Sequence, residues 1–385
     1  MSGQYILETI ITQLRDAGIK EIWIVVNHKK EIIQQFFQYG KSLGIRLDYI
    51  VQPKELGIGH AVSLAENVVG DDEHFLLVYG DALMAGNPYT HLLNRFKRSK
   101  PCTLATITHP SSEGSYGNIY LSHNMKITKL LEKPTGTRLS NYIFGGSFIL
   151  SRDCFKKLRE LNKEIVLLFQ HLIDSGDIEA SLWEDNWIDI SRPWFILAAN
   201  RLMIEPWNRS MIPASVNIES NVNISGVVKM EENVHISSGT KIVGPCYIGS
   251  NVYIGNNCLI RKNSSIGPNS KIGYGTEIKN TVLFGNSTIG RLSFLGDSVI
   301  GENVNLGSGI MTVNYDPEGH DILLRPPGSK PINTKMPKLG VLIGDNSTIG
   351  TGNTIAPGTI IPPETKIADK ISINDEIIKT LNSNQ

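Results

Sequence analysis

The sequence predicts an α/β chain: a mostly parallel sheet flanked by helices in front, and a left-handed parallel β-helix behind. Two observations carry this. The first is an aliphatic residue at every sixth position, Ile218, Ile224, Met230, Ile236, Ile242, Ile248, Ile254, Ile260, Ile266, Ile272 and Ile278, with Phe284 next in step. Small or β-branched residues stand two places earlier (Val216, Val222, Val228, Val234, Thr240, Cys246, Val252, Cys258), and glycine often follows, as at Gly249, Gly255, Gly267, Gly273 and Gly285. One short flat strand plus one corner per six residues is the hexapeptide signature of a β-helix. Three faces make a coil, so residues 18 apart stack and the aliphatics fill the core. The second observation is alternation of helical and strand patterns ahead of it. Tyr5–Ala17 is amphipathic and stopped by Gly18, Glu21–Asn27 is an apolar strand, and Lys30–Tyr39 is helical. Arg46–Gln52 is a strand, Gly59–Val69 a helix and His74–Tyr79 another apolar strand, a pattern that predicts helices on both faces of a parallel sheet.

At 385 residues the chain exceeds one core. We expect a front domain over 1–205, a linker over 206–215, a β-helix over 216–370 and a tail over 371–385. The hexapeptide step is interrupted over 313–340, a segment with Lys330, Lys335 and Lys338, and resumes at Ile343, Ile349 and Ile355. Such an excursion is expected to project from the solenoid and reach a neighbouring subunit. The 37 basic and 37 acidic residues cancel, so no overall field draws the chain to nucleic acid or membrane. Four cysteines make no framework, and Cys246 and Cys258 should lie on different faces, which suits a reduced, cytoplasmic setting.

In open α/β sheets ligands sit at the carboxyl ends of strands. Asp81 stands there, in Tyr79-Gly80-Asp81, where a carboxylate beside a glycine can meet a metal. Taken alone it reads more readily as a loop or helix-cap aspartate. It is accompanied, however, by Gln52-Pro-Lys-Glu-Leu-Gly-Ile-Gly-His-Ala61, Tyr116-Gly117-Asn118, Glu132-Lys133-Pro134 and Trp187-Ile-Asp189-Ile-Ser-Arg-Pro-Trp194. In this order the motifs resemble the sugar-1-phosphate nucleotidylyltransferases. Joined to a β-helix, they resemble the bifunctional nucleotidylyltransferase/acetyltransferases, nearest in pattern to the archaeal forms.

The resemblance implies a Rossmann-like front domain, a sugar phosphate and a nucleoside triphosphate as substrates, Mg²⁺, and a homotrimer built on the β-helix. It implies that Asp81 and Asp189 hold the Mg²⁺ and act with Lys133 in catalysis, Lys133 meeting the sugar phosphate. Gln52 would read the base, with Gly57 giving it room, and Gly117 and Glu132 would hold the sugar. In the β-helix it implies phosphate or substrate contacts from Arg261, Lys279, Asn305, Asn314 and Tyr315, and acetyl-CoA as a second cofactor. Arg261 and Lys279, 18 apart, should stack as like charges, which is unfavourable unless an anion lies between them.

The chain departs from the family in three places. The opening strand and phosphate-cradling G-x-G-T-R-x-x-P loop are not found; the sequence starts Met1-Ser2-Gly3, at what matches the approach to the first helix. Without that strand its neighbours in the sheet should carry unpaired edges. Either the natural chain starts further upstream or the domain is degenerate, and the first is favoured. Phe144 stands where the family has a sugar-binding asparagine. Arg291-Leu-Ser-Phe294-Leu-Gly-Asp297 stands where the family has H-L-S/T-Y-x-G-D, and arginine keeps its proton and cannot serve as base. His235 and His320 are the remaining histidines of the C-terminal half. Three readings follow: a sugar-1-phosphate nucleotidylyltransferase with an acetyltransferase-like domain lacking its base, an acetyl-CoA-dependent sugar acetyltransferase, or a non-catalytic sugar-nucleotide-binding regulator. The first is preferred.

Overall fold

The structure, a computed structural model, describes residues 3–110, 116–131, 140–324, 326 and 329–369. Contacts divide the chain into Ile6–Asp189 and a second unit formed by the described residues of Met1–Tyr5 and Ile190–Gln385.

The first unit runs α1 (Ile6–Asp16), β1 (Glu21–Val26), α2 (Lys30–Phe37), β2 (Arg46–Val51), α3 (Ile58–Ser63), α4 (Glu66–Val69), β3 (His74–Val78), β4 (Ala82–Met84) and α5 (Pro88–Ser99). It continues with β5 (Thr103–Thr108), β6 (Asn118–Leu121), β7 (Ile127–Leu131), β8 (Ile143–Ser151), α6 (Cys154–Glu160), α7 (Ile165–Asp174), β9 (Ile178–Trp183) and β10 (Trp187–Asp189). The main sheet is ordered β3-β8-β5-β9. Strands β3, β5 and β9 share a direction and β8 alone runs against them. Fully buried β5 is its centre, and Phe148, Ile107 and Ala180 pack there against Phe155, Leu168 and Phe169 of α6 and α7. Strands β1 and β2 form a separate parallel pair. Among the described residues β1 pairs only with β2 and β3 only with β8. Their apolar side chains, Ile22–Val25 and Phe75–Val78, are half-buried where those of β5 are fully buried.

The second unit opens on α8 (Phe195–Ile204) and continues as a left-handed parallel β-helix whose strands stack in three sheets of eight, seven and seven. Core positions from Met230 to Ile278 are fully buried. Corners fall on asparagines with φ near +60°, a region asparagine tolerates better than most residues. Asn233, Asn251, Asn269 and Asn286 hydrogen-bond in a ladder from coil to coil at 3.3, 3.0 and 2.9 Å.

Two sequence expectations are corrected. The six-residue step does not pass to Phe284. Ile266 pairs with Leu283, which is 2% exposed, while Phe284 is half-buried on the outside. One corner residue, Asn280, is used where the coil before has Lys262-Asn263, so the step from Ile278 is five. Leu295 to Ile300 is again five, and coils there are 17 long. The excursion leaves at the corner after Thr312, but it does not project. Tyr315 and Lys338 bridge its base, Leu323–Leu324 pairs with Ile332–Asn333, and Ile322, Leu324 and Leu339 are buried against Trp194, Leu197, Val282, Val299 and Leu342. An excursion carrying apolar side chains lies back where it can bury them.

Candidate functional site

In the first unit β10 pairs antiparallel with β4, Asp189 directly opposite Ala82. Asp81 occupies the turn just before Ala82, so the two acids lie in neighbouring positions across one strand pair although 108 residues apart in sequence. Asp81 is exposed and Asp189 half-buried. Several contacts hold this edge. Gln13 of α1 donates from Nε2 to the carbonyls of Met84 and Gly86 at 2.8 and 2.7 Å, and Asn87 Nδ2 donates to Gln13 O at 2.8 Å. Trp187 Nε1 donates to Gly145 O at 3.0 Å, tying β10 to β8. Gly146, at φ +87°, lets β8 approach: a Cβ there would stand 2.8 Å from Ala82 Cβ. Tyr116 meets the Trp187 ring edge-on at 5.5 Å, and burial, then the Asp189 charge, push its phenol up. Gly117 follows Tyr116 into β6. Phe144 turns into the core, packing on Phe148 and Phe169 with centroids 5.2 and 4.9 Å away. Glu132 and Lys133 lie outside the described residues.

Gln52 sits just past β2. Its Nε2 lies 3.2 Å from Gly57 O and 3.0 Å from His60 Nδ1. Gly57 precedes α3 at φ +84°, where a side chain would be strained.

The second unit brings Arg261 and Lys279 to one sheet, with Arg261 N on Ile278 O, but neither cation waits for an anion. Arg261 Nη1 pairs with Glu277 Oε1 at 2.8 Å. Lys279 Nζ pairs with Asp297 Oδ2 at 3.1 Å. Asp297 is 6% exposed and also accepts from Asn280 Nδ2 at 2.6 Å and Asn314 Nδ2 at 2.5 Å, while its backbone carbonyl accepts from Gly340 N. Asn314 and Gly340 therefore tie the excursion's ends to Asp297 of the solenoid. The expectation of two repelling stacked cations is overturned by these carboxylates. Asn305 lies on a different sheet from Arg261 and Lys279, paired with Thr288 and Thr348, and Tyr315 is exposed at the excursion's base. Arg291 is exposed at a corner beside Leu292. His235 is held by Asn217 and by Glu219, and stacks on Tyr253. His320 stands 3.1 Å from Asp316, whose carboxyl is held down by the Glu318 N–H and by His320.

Sequence reasoning missed Glu277 and Gln13, and quoted Asp297 and His60 within motifs without giving them a role; of these, Glu277 and Asp297 had a further signal. Glu277 and Asp297 stand 16 and 18 residues after the cations they neutralise, about one coil. Among the described residues no group of three or more His, Cys, Asp or Glu could hold a metal. No described helix is long and apolar enough to cross a membrane.

Residues 1–204 match the family described as "Nucleotidyl transferase", and residues 242–315 match "GMPPB C-terminal domain". The chain is 36% identical over 353 residues to "Bifunctional protein GlmU" of Methanococcus maripaludis, covering 90% of this chain and 81% of that one. It is 27% identical over 347 residues to "Low-salt glycan biosynthesis nucleotidyltransferase Agl11" of Haloferax volcanii, covering 84% and 90%. It is 28% identical over 353 residues to a "Bifunctional sugar-1-phosphate nucleotidylyltransferase/acetyltransferase" of Sulfurisphaera tokodaii, covering 88% and 82%.

Proposed function

We propose, for a chain that belongs to the nucleotidyl transferase family, that the first unit joins a sugar 1-phosphate to a nucleoside triphosphate and releases pyrophosphate at the edge formed by β4 and β10. The enzyme is a nucleotidyltransferase with an acetyltransferase-like β-helix. One observation carries the assignment: the β10–β4 register sets Asp189 opposite Ala82, beside Asp81.

The chemistry asks for little beyond this. The attacking sugar phosphate is already anionic near neutral pH, so no base is required, and catalysis is positioning plus charge neutralisation. Two carboxylates suit Mg²⁺, which takes one or two carboxylates and keeps waters and substrate oxygens. Asp81 and Asp189 would hold it, and bound there it would neutralise charge on the triphosphate. Gln52 would read the base, with Gly57 leaving space beside it. Gly117 and Glu132 would hold the sugar and Lys133 its phosphate.

Acetyl transfer from acetyl-CoA fits the second unit poorly. Arg291 cannot take a proton, and Lys279 and Asn314 are committed to Asp297. The β-helix serves assembly in this reading. Phe294 and Met311 pair on its second sheet with outward faces half-buried and 43% exposed, and Leu292 at the adjoining corner is 65% exposed. Such a face suits a homotrimer. Four unpaired cysteines and phosphorylated substrates suit the cytoplasm.

The test is pyrophosphate release. The full chain is given each of four nucleoside triphosphates, a panel of hexose 1-phosphates and Mg²⁺. Release that needs both substrates and the metal is expected. Thiol release from acetyl-CoA without any pyrophosphate release would replace this reading with the acetyltransferase.

A further inference from the structure

The amide of Gln52 is ambivalent in principle, since one end donates and the other accepts. Its surroundings remove the choice. Gln52 N donates to Val26 O at 2.8 Å, which anchors the residue just beyond β2. Its side-chain nitrogen lies 3.2 Å from Gly57 O. A carbonyl oxygen only accepts, so the group facing it must be the NH₂. That same nitrogen lies 3.0 Å from Nδ1 of His60, so Nδ1 carries the lone pair and the ring proton sits on Nε2. His60 is itself fixed within α3, where its carbonyl accepts from Ser63 Oγ at 2.7 Å. Both amide hydrogens are thus used inside the protein. Oε1 has no hydrogen-bond partner among the described residues.

We propose that His60 is a positioning residue for nucleobase selection: it holds the Gln52 amide in one orientation, so that the site presents a fixed acceptor. This rests on Gln52 being the residue that reads the base. Gly57 O alone is a weaker lock, because at 3.2 Å it engages only one hydrogen and leaves the other free for any incoming acceptor. Selectivity is a difference of affinities, and a side chain that can offer either a donor or an acceptor discriminates less than one that offers a single group.

The experiment is isothermal titration of the full-length protein with ATP, CTP, GTP and UTP in Mg²⁺, for the unmodified chain and for His60→Phe, His60→Asn and Gln52→Ala. The unmodified protein should prefer one base. His60→Phe removes the acceptor and keeps the ring, so the preference should fall by about fivefold, the worth of one net hydrogen bond, while binding of the disfavoured bases holds or rises. His60→Asn returns an acceptor near the Nδ1 position and should restore the preference. A general loss of folding would weaken all four nucleotides together and would not be rescued by Asn. If Gln52→Ala abolishes the preference but His60→Phe leaves it intact, the role of His60 is overturned while Gln52 remains the base reader. If Gln52→Ala leaves the preference unchanged, base reading by Gln52 fails and the inference fails with it. If none of the four nucleotides binds, the nucleotidyl-transfer reading itself falls.

Discussion

Asp297 is the residue whose loss the structure translates most directly into a number. Its carboxylate, 6% exposed, accepts from Lys279 Nζ at 3.1 Å, Asn280 Nδ2 at 2.6 Å and Asn314 Nδ2 at 2.5 Å. Asp297→Ala leaves an ammonium that is 23% exposed and two amides without their acceptor. Breaking a buried ion pair from one side costs about 3–5 kcal/mol, and each abandoned amide about 1–3 kcal/mol. These losses overlap because the three donors share one partner, so about 4–5 kcal/mol is expected in total. For a unit of this size that lowers the melting temperature by roughly 10 °C. Two assays read it. Scanning calorimetry of the full chain should show the shift in the β-helix transition. Limited trypsin digestion should show faster cutting at Lys335 and Lys338, because Asp297 holds the excursion's ends through Asn314 Nδ2 and Gly340 N. Asp297→Asn, which keeps one acceptor oxygen, should fall between. A melting temperature within 2 °C of the unmodified protein and an unchanged tryptic pattern would refute the view that this carboxylate ties the excursion down.

Five further outcomes are expected. Leu283→Ala should cost about 2–5 kcal/mol in chemical denaturation, since Leu283 fills the solenoid core; a loss under about 1 kcal/mol would contradict the shortened coil. Asp189→Asn should lower Mg²⁺-dependent pyrophosphate release by at least about a hundredfold with the melting temperature held within a few degrees, and full retention of turnover would remove Asp189 from the metal. Only exposed Cys102 should react rapidly with an aromatic disulfide reagent, the other three thiols after unfolding. Burial pushes Cys154 and Cys246 up to about 12 from 9.0, so the unfolded chain loses those protons first and stability should fall as pH rises from 9.0 towards 12, as alkaline denaturation midpoints would show. Arg291→His with Phe294→Tyr should yield acetyl transfer measurable as thiol release from acetyl-CoA, because it restores a group that titrates near neutrality; strong release from the unmodified protein would show that another base operates.

The β-helix was legible because its period is a direct consequence of geometry: each coil must present an inward side chain at fixed intervals. What periodicity cannot resolve is a deletion beside a second apolar residue. Leu283 and Phe284 both satisfy an apolar template, and only the pairing of Ile266 decides between them. The excursion's direction was also hidden. Ile322, Leu324 and Leu339 announce that something must be covered, but the surface they cover includes Trp194 and Leu197, more than 100 residues away in the chain. In the first unit the placement of Asp81 and Asp189 could be read from motifs, since each ends or adjoins a strand. The hydrogen bonds that keep their edge in place could not. Gln13 lies in an ordinary amphipathic helix, and nothing local distinguishes it from a solvent-facing glutamine.

The two candidate sites differ in a way that bears on which of them works. A catalytic or binding group must keep some of its bonding capacity for a ligand, and a group whose capacity is spent within the protein is structural. At the β4–β10 edge Asp81 is exposed, and just past β2 the Gln52 carbonyl oxygen has no hydrogen-bond partner among the described residues. At the β-helix corner the cations are already neutralised: Arg261 by Glu277, and Lys279 by an Asp297 that also takes two amides. An anion approaching Lys279 would have to displace a buried carboxylate from three donors before gaining anything, and the displaced charge would be left desolvated. Asp81 therefore remains open to a ligand in the first unit, while Lys279 is committed to Asp297 in the second.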